Sequence, residues 1–241
     1  MSAYYTMRLK SDPKVTGVRE GRQAVIPKID SNRPFFEYFS RYDYLTYIQT
    51  HQPPSVDLEL HNVKAYKPSK MTSFLSFSPF FSPDCYFLVN DEVKQCFDQF
   101  NVQKHRFYKA NVIHLDKPYT YWLFYMPSLG YEVIDFKKTV FYSGGTIIEN
   151  RKYHSADSIE KYRKIQNVDR ILLSVEKISF NEIFDQSLDL FQAKLGGLFV
   201  SERFKSAILE AGFSNVNFFP AFGGDLRHVQ VEVSGWMWSL E

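Results

Sequence analysis

Apolar and polar positions alternate along this chain at helical and strand periods, and one combined pattern occurs twice. LFVSERFKSAILEAGFSNVNFFPA, Leu198 to Ala221, opens on a short apolar run and then sets Phe204, Ala207, Ile208 and Ala211 at helical spacing. Ser201 can accept a bond from the exposed amides that begin a helix, and Glu202 suits its positive end. Gly212 tolerates the left-handed backbone that ends a helix, and Phe213 follows where a closing hydrophobic contact is common. Phe218 and Phe219 then lead into a strand. FLVNDEVKQCFDQFNVQKHRFYKA, Phe87 to Ala110, has the same layout 111 positions earlier without a gap. Asn90 and Asp91 supply the cap, Val93, Cys96, Phe97 and Phe100 the stripe, Asn101 the stop, and Phe107-Tyr108 the strand entry. Only Val89/Val200, Lys94/Lys205, Phe107/Phe218 and Ala110/Ala221 are identical, so the case for a repeated helix-to-strand unit rests on pattern.

The remaining pattern predicts more strands than helices. AYYTMRL near the N-terminus, NVIHLD (111–116), YEVIDFKKTVFY (131–142), DRILLSV (169–175) and HVQVEV (228–233) all read as strands. YTYWLFYM, Tyr119 to Met126, is large on both faces, as a central strand covered from each side would be, and a Lys117-Pro118 corner precedes it. VDLELHNV alternates Val56, Leu58 and Leu60 with Asp57, Glu59 and His61. Helices are predicted over 34–48, ended by HQPP, and over 157–166. The Ser/Phe/Pro stretch MTSFLSFSPFFSPD (71–84) reads as a segment crossing the surface, and the glycine pairs 144–145, 196–197 and 223–224 read as turns. Grouped strands with inserted helices give an α+β fold: a mixed or mainly antiparallel sheet, a few helices, and the two similar units at about 87–110 and 198–221. One domain over 1–241 is expected, with two lobes (about 1–142 and 143–241) as the variant, because no Gly/Ser-rich or charged linker divides residues 100–200.

Composition refines this picture modestly. The 241 residues are 44% apolar and 23% charged, enough to bury a sizeable core. The net charge of +2 creates no field that demands a nucleic acid or a membrane. Lys161, Arg163 and Lys164 fit a solvated helix face. Aromatics are abundant at 17%, with 23 Phe and 16 Tyr, and supply both core and sticky contact surface. Cys85 and Cys96 form no disulfide framework or zinc spacing, and Cys96 lies on the helical stripe as a small buried hydrophobe. The opening residues lack a signal-peptide pattern and no apolar run reaches the ~20 residues of a membrane span, so a soluble, cytoplasmic, reduced protein is expected.

Candidate chemistry is sparse. No glycine-rich nucleotide loop, zincin motif or nucleophile elbow occurs, and no two of the six histidines share a ligand spacing. No catalytic, cofactor-binding or metal-binding residue is therefore assigned, and no cofactor is expected. His114 and Asp116, two apart on a predicted strand, are the nearest thing to an acid–base pair, and an ordinary strand-end histidine explains them as well. Phe107-Tyr108 could stack bases, but without the accompanying Lys/Arg and Gly pattern sheet packing is the better reading.

In combination, YEVIDFKKTVFY, ILLSVEKISFNEIFDQ (171–186) and the second unit resemble the immunity proteins of bacterial polymorphic toxin systems. The resemblance is to the immunity protein 43 group and the related immunity protein 11 group. It is carried by Ile134, Asp135, Phe136, Lys138, Thr139 and Phe141, then Val200 to Arg203, Gly212, Phe218 and Pro220, within residues 131–222. It implies a cytoplasmic, non-enzymatic protein whose partner is a cognate toxin, with no nucleic acid or membrane involved and with contact residues and oligomeric state open. Many immunity proteins are acidic whereas this chain is slightly basic, which moves weight from charge to aromatic and shape-complementary contacts. The alternative is a hydrolase or nucleic-acid-processing enzyme assembled from distant carboxylates and His114.

Overall fold

The structure, a computed structural model, describes residues 4–19, 21–26, 32–37, 57–78, 85–144 and 150–221. Residues 33–37 are helical, at the start of the helix predicted over 34–48; the rest of that helix, the segment 79–84 and the features over 222–241 lie outside the described residues. Two compact units emerge, and neither is continuous in sequence: 8–128 with 206–217, and 1–7 with 129–205 and 218–241.

The first unit is built on a seven-stranded mixed sheet. Its strands are β2 (Ala24–Val25), β3 (Leu60–Ala65), β4 (Phe74–Leu75), β5 (Phe77–Ser78), β6 (Cys85–Val89), β7 (Arg106–His114) and β8 (Lys117–Tyr125), in the order β4-β6-β8-β7-β3-β2-β5. β7 and β8 pair antiparallel over all nine residues, and β3 runs parallel to β7. Leu60, Val63, Tyr108, Ala110, Val112, Tyr121, Leu123 and Tyr125 fill one core cluster with Phe35 and Phe77. Residues of opposite parity, Phe107 and Phe124, meet Phe97 at 5.9 and 5.2 Å. Phe97 lies on helix α2 (Asp91–Phe97), which follows a one-turn helix α1 (Pro13–Thr16) in the chain. β8 is thus covered on both sides over 121–125, as its two-faced bulk predicts, while 117–120 are exposed.

His105 packs between Phe107 (5.3 Å) and Phe124 (5.6 Å), and burial pulls its imidazole below the ordinary 6.5 despite the Gln103 carbonyl and Asp98. Burial disfavours the cation, so the unfolded chain takes up the proton first as pH falls. Stability is expected to be full above 6.5 and to drop as pH falls from there through the lowered folded value. Urea midpoints at pH 7.5, 6.5 and 5.5 check this: His105→Gln should flatten the profile in that window.

The second unit holds a four-stranded sheet, β12-β13-β1-β14, and a three-stranded one, β10-β9-β11. The strands are β1 (Tyr4–Leu9), β9 (Val140–Ser143), β10 (Lys152–His154), β11 (Ser174–Lys177), β12 (Leu190–Ala193), β13 (Gly197–Ser201) and β14 (Val216–Ala221), of which β1 and β14 run on into residues of the other unit. Helix α3 (Ile159–Asn167) is capped by Ser158 and buries Tyr162 against Phe141, Tyr131 and Phe136. Helix α4 (Glu202–Glu210) begins where β13 ends.

The two similar segments show strand, cap, helix and strand in step. Asn90 Oδ1 accepts from Val93 N at 3.0 Å and Ser201 Oγ from Phe204 N at 3.1 Å, the same positions 111 apart. Val93, Phe97, Phe204 and Ile208 are all completely buried, and each segment's two strands flank one inserted strand, β8 or β1. Their ends differ. Gly212 adopts the left-handed backbone at φ +68°, but Asn101 does not; α2 stops at Asp98 in right-handed conformation. Cys96 is half-buried rather than buried.

Several expected elements are corrected. YEVIDFKKTVFY is not one strand: Asp135 Oδ1 accepts the amides of Lys137 and Lys138, turning the chain so that Ile134 makes an isolated bridge to Phe180 and the strand itself covers 140–143. The strand over 169–175 shrinks to 174–177 because Arg170 takes φ +55°. The alternation of VDLELHNV breaks at Asn62, φ +56°, where the register with β7 shifts. MTSFLSF does not cross the surface: Phe74, Leu75 and Phe77 are completely buried in strands at the sheet's two edges. The corner also moves, since Leu115-Asp116 make the turn and Pro118 sits in β8 opposite Ile113.

Candidate functional site

Of the residues singled out by the immunity-protein resemblance, Ser201 and Arg203 enter one polar construction of the second unit and Asp135, Lys138 and Thr139 another. Asp189 is almost fully buried, and its carboxylate accepts from Ser201 Oγ at 2.7 Å and from both Nε and Nη2 of Arg203. Its carbonyl accepts from Ser201 N at 2.8 Å. One carboxylate therefore aims the hydroxyl that caps α4 and holds a guanidinium whose side chain stays 66% exposed. Next along the helix, Lys205 pairs with Glu202 at 2.8 Å and lies 3.6 Å over the Tyr5 ring. The arrangement can present a fixed cation to an incoming acid.

The other construction is the Asp135 corner. The Asp135 carbonyl accepts from Thr139 N (2.9 Å) and Thr139 Oγ1 (2.8 Å), while Thr139 Oγ1 in turn accepts from Ser179 N. Desolvation pushes the Asp135 carboxyl up, but the Lys138 ammonium at 3.1 Å and the amides of Lys138 and Lys137 together hold it below its ordinary range. Phe136 enters the aromatic cluster of Tyr131, Phe141 and Tyr162. These residues keep the chain's course, and the Lys138 side chain stands out to solvent while Phe136 and Thr139 are buried.

A shallow hollow of about 280 Å³ lies beside that corner, lined by Phe136, Lys137, Tyr153, His154 and Asp157 among others. His154 Nε2 sits 2.7 Å from Ser143 Oγ, a nucleophile–base distance that sequence reasoning missed because the partners meet diagonally across the β9–β10 pairing, where Ser143 lies opposite Lys152 and His154 opposite Phe141. Among the described residues no carboxylate bonds the other nitrogen of His154, so the orienting third group is lacking.

His114 and Asp116 do not form the predicted pair. His114 ends β7 with Nε2 3.2 Å from the Lys67 carbonyl and its ring 6.4 Å from that of Tyr119. Asp116 occupies the turn at φ +61°, off the strand face that the pairing needed. No group of three or more His, Cys, Asp or Glu able to hold a metal occurs among the described residues. Instead the structure brings together an exposed β-hairpin end at 115–120, next to Tyr66 and Lys67. Leu115-Asp116 carries no turn signal in the sequence, and the neighbouring Lys117-Pro118 suggested a corner in the wrong place.

No helix among the described residues is long and apolar enough to cross a membrane. Compared with known families, residues 42–222 match the model described as Immunity protein family (Imm11), a wider span than the 131–222 that carries the motifs. No curated protein matches the chain.

Proposed function

The chain belongs to the Immunity protein family (Imm11), and from that membership we propose that it neutralises a cognate bacterial toxin by binding it directly in the cytoplasm. The observation that carries the reading is the family match across 42–222, which spans parts of both compact units. The mechanism is occlusion by surface contact rather than chemistry on the toxin. Aromatic and arginine side chains are the usual anchors of tight interfaces, and this chain offers Tyr66, Tyr119, Tyr153 and Arg203 at its surface. With a net charge of only +2, local charge sets encounter rate and partner choice while apolar contacts set residence time.

Co-expression with the toxin encoded beside this chain's gene tests the proposal. Growth arrest should be relieved and the two chains should co-purify as a complex. Persistent arrest, with no complex recovered, would remove direct neutralisation as the function.

A further inference from the structure

The end of the β7–β8 hairpin is exposed throughout 115–120, yet it is not a polar loop. Leu115 is 60%, Tyr66 45% and Tyr119 37% exposed, three of the eight large apolar side chains that stand out to solvent among the described residues. Their concentration on one hairpin end and the loop beside it marks an interaction patch rather than scattered surface apolarity.

The backbone there is demanding. Leu115 at φ +48° and Asp116 at φ +61° both take the left-handed conformation of a two-residue hairpin turn, where Asn-Gly is the favoured pair. A leucine is strained in that position, and its exposed side chain gains little burial within the chain. Such strain gathers at sites whose purpose lies outside the fold.

The patch is also held ready. β7 and β8 stay in register up to His114 opposite Lys117, and β3 flanks β7 as far as Lys64 opposite Ile113. His114 ties the hairpin to the Lys67 carbonyl, while Tyr66 N bonds the Gln23 carbonyl at 2.9 Å. A preorganised element loses little conformational freedom on docking.

Charge selects the partner. Lys64, Lys67 and Lys117 are exposed around the patch and pair with no carboxylate among the described residues. Asp116 is the single acid beside them among the described residues, and Lys109 further down the hairpin is neutralised by Glu59 at 3.5 Å. Resting on the neutralisation reading above, we infer that the hairpin end, Tyr66 with His114–Tyr119, docks into the toxin at an apolar depression rimmed by aspartate and glutamate. Leu115 and Tyr119 fill the depression, and the lysines meet its rim.

Calorimetric titration of the full-length chain with the toxin encoded beside its gene is the test. Leu115→Ser/Tyr119→Ser should bind at least about 30-fold more weakly. Lys64→Glu/Lys67→Glu/Lys117→Glu should bind more weakly and lose the salt dependence of the unmodified chain. The substituted side chains stand in solvent, so melting temperatures should stay unchanged, and Ile183→Ser, equally exposed in the other unit, should bind normally. Normal binding by both hairpin variants, with the unmodified chain still protective, would overturn the docking assignment and leave neutralisation standing. Failure of the unmodified chain to bind or protect would overturn both. Self-association of the chain that the substitutions abolish would give the patch to a second copy and likewise overturn the assignment.

Discussion

Gln23→Leu is expected to destabilise the protein by about 3–4 kcal/mol although it exchanges a polar side chain for an apolar one at a completely buried position. Gln23 Nε2 donates to the Lys70 carbonyl at 2.6 Å and to Thr72 Oγ1 at 2.9 Å. Its Oε1 accepts from Asn215 Nδ2 at 2.7 Å and from Ser76 N at 3.2 Å. Leucine of similar volume would leave two donors and a carbonyl facing an alkyl group. Each stranded buried partner costs about 1–3 kcal/mol, more than the ~1.5–3 kcal/mol gained by burying the new side chain. Asn215 also donates to the Phe74 carbonyl at 2.8 Å, so it would keep one of its two bonds. Urea unfolding should show a lower midpoint with an unchanged slope. An equal or higher midpoint would mean that the network is dispensable.

Phe124→Ala should cost a similar 3–5 kcal/mol by a different route. The ring is completely buried and touches at least four others among the described residues: Phe97 and Phe107 at 5.2 Å, Phe87 and His105 at 5.6 Å. Strand β8 lies between β6 and β7, so the backbone around the lost ring is hydrogen-bonded on both sides and cannot collapse into the space. The penalty therefore includes the void as well as lost burial, and edge-to-face contact with Phe97 disappears with it. Phe124→Leu should recover more than half of the loss, as read by urea midpoints of the three proteins. Equal midpoints for alanine and leucine would show that the cluster repacks freely.

What the sequence disclosed was local. The caps Asn90 and Ser201 act within three residues of their partners, and each lies ahead of an apolar stripe, so these two helices could be placed from their starts. The buried part of β8 was legible for the same reason, because bulk on both faces belongs to a strand covered twice. Distant partners defeated the reading elsewhere. MTSFLSF resembles a loop in composition, but Thr72 and Ser76 bond Gln23 about fifty residues away, which carries Phe74 and Phe77 inside. Asp135 turns a stretch that contains no glycine or proline to announce it. Leu115-Asp116 is an uncommon sequence for a tight hairpin, whereas Lys117-Pro118 imitates a corner. At the Asp189 construction, the motif residues Ser201 and Arg203 were visible but the carboxylate that orders them was not. A docking surface has no periodicity at all, and only exposure in three dimensions reveals it.

The bond from Asn215 to Gln23 spans 192 positions, with consequences for how the protein is made. Residues 206–217 complete a unit whose other part spans 8–128, so the ribosome must pass residue 217 before that unit can close. At about 5–20 residues per second, the ribosome takes on the order of tens of seconds between releasing one partner and the other. The unit accordingly stays open while the intervening residues 129–205 are made, and its buried amide network closes only after them.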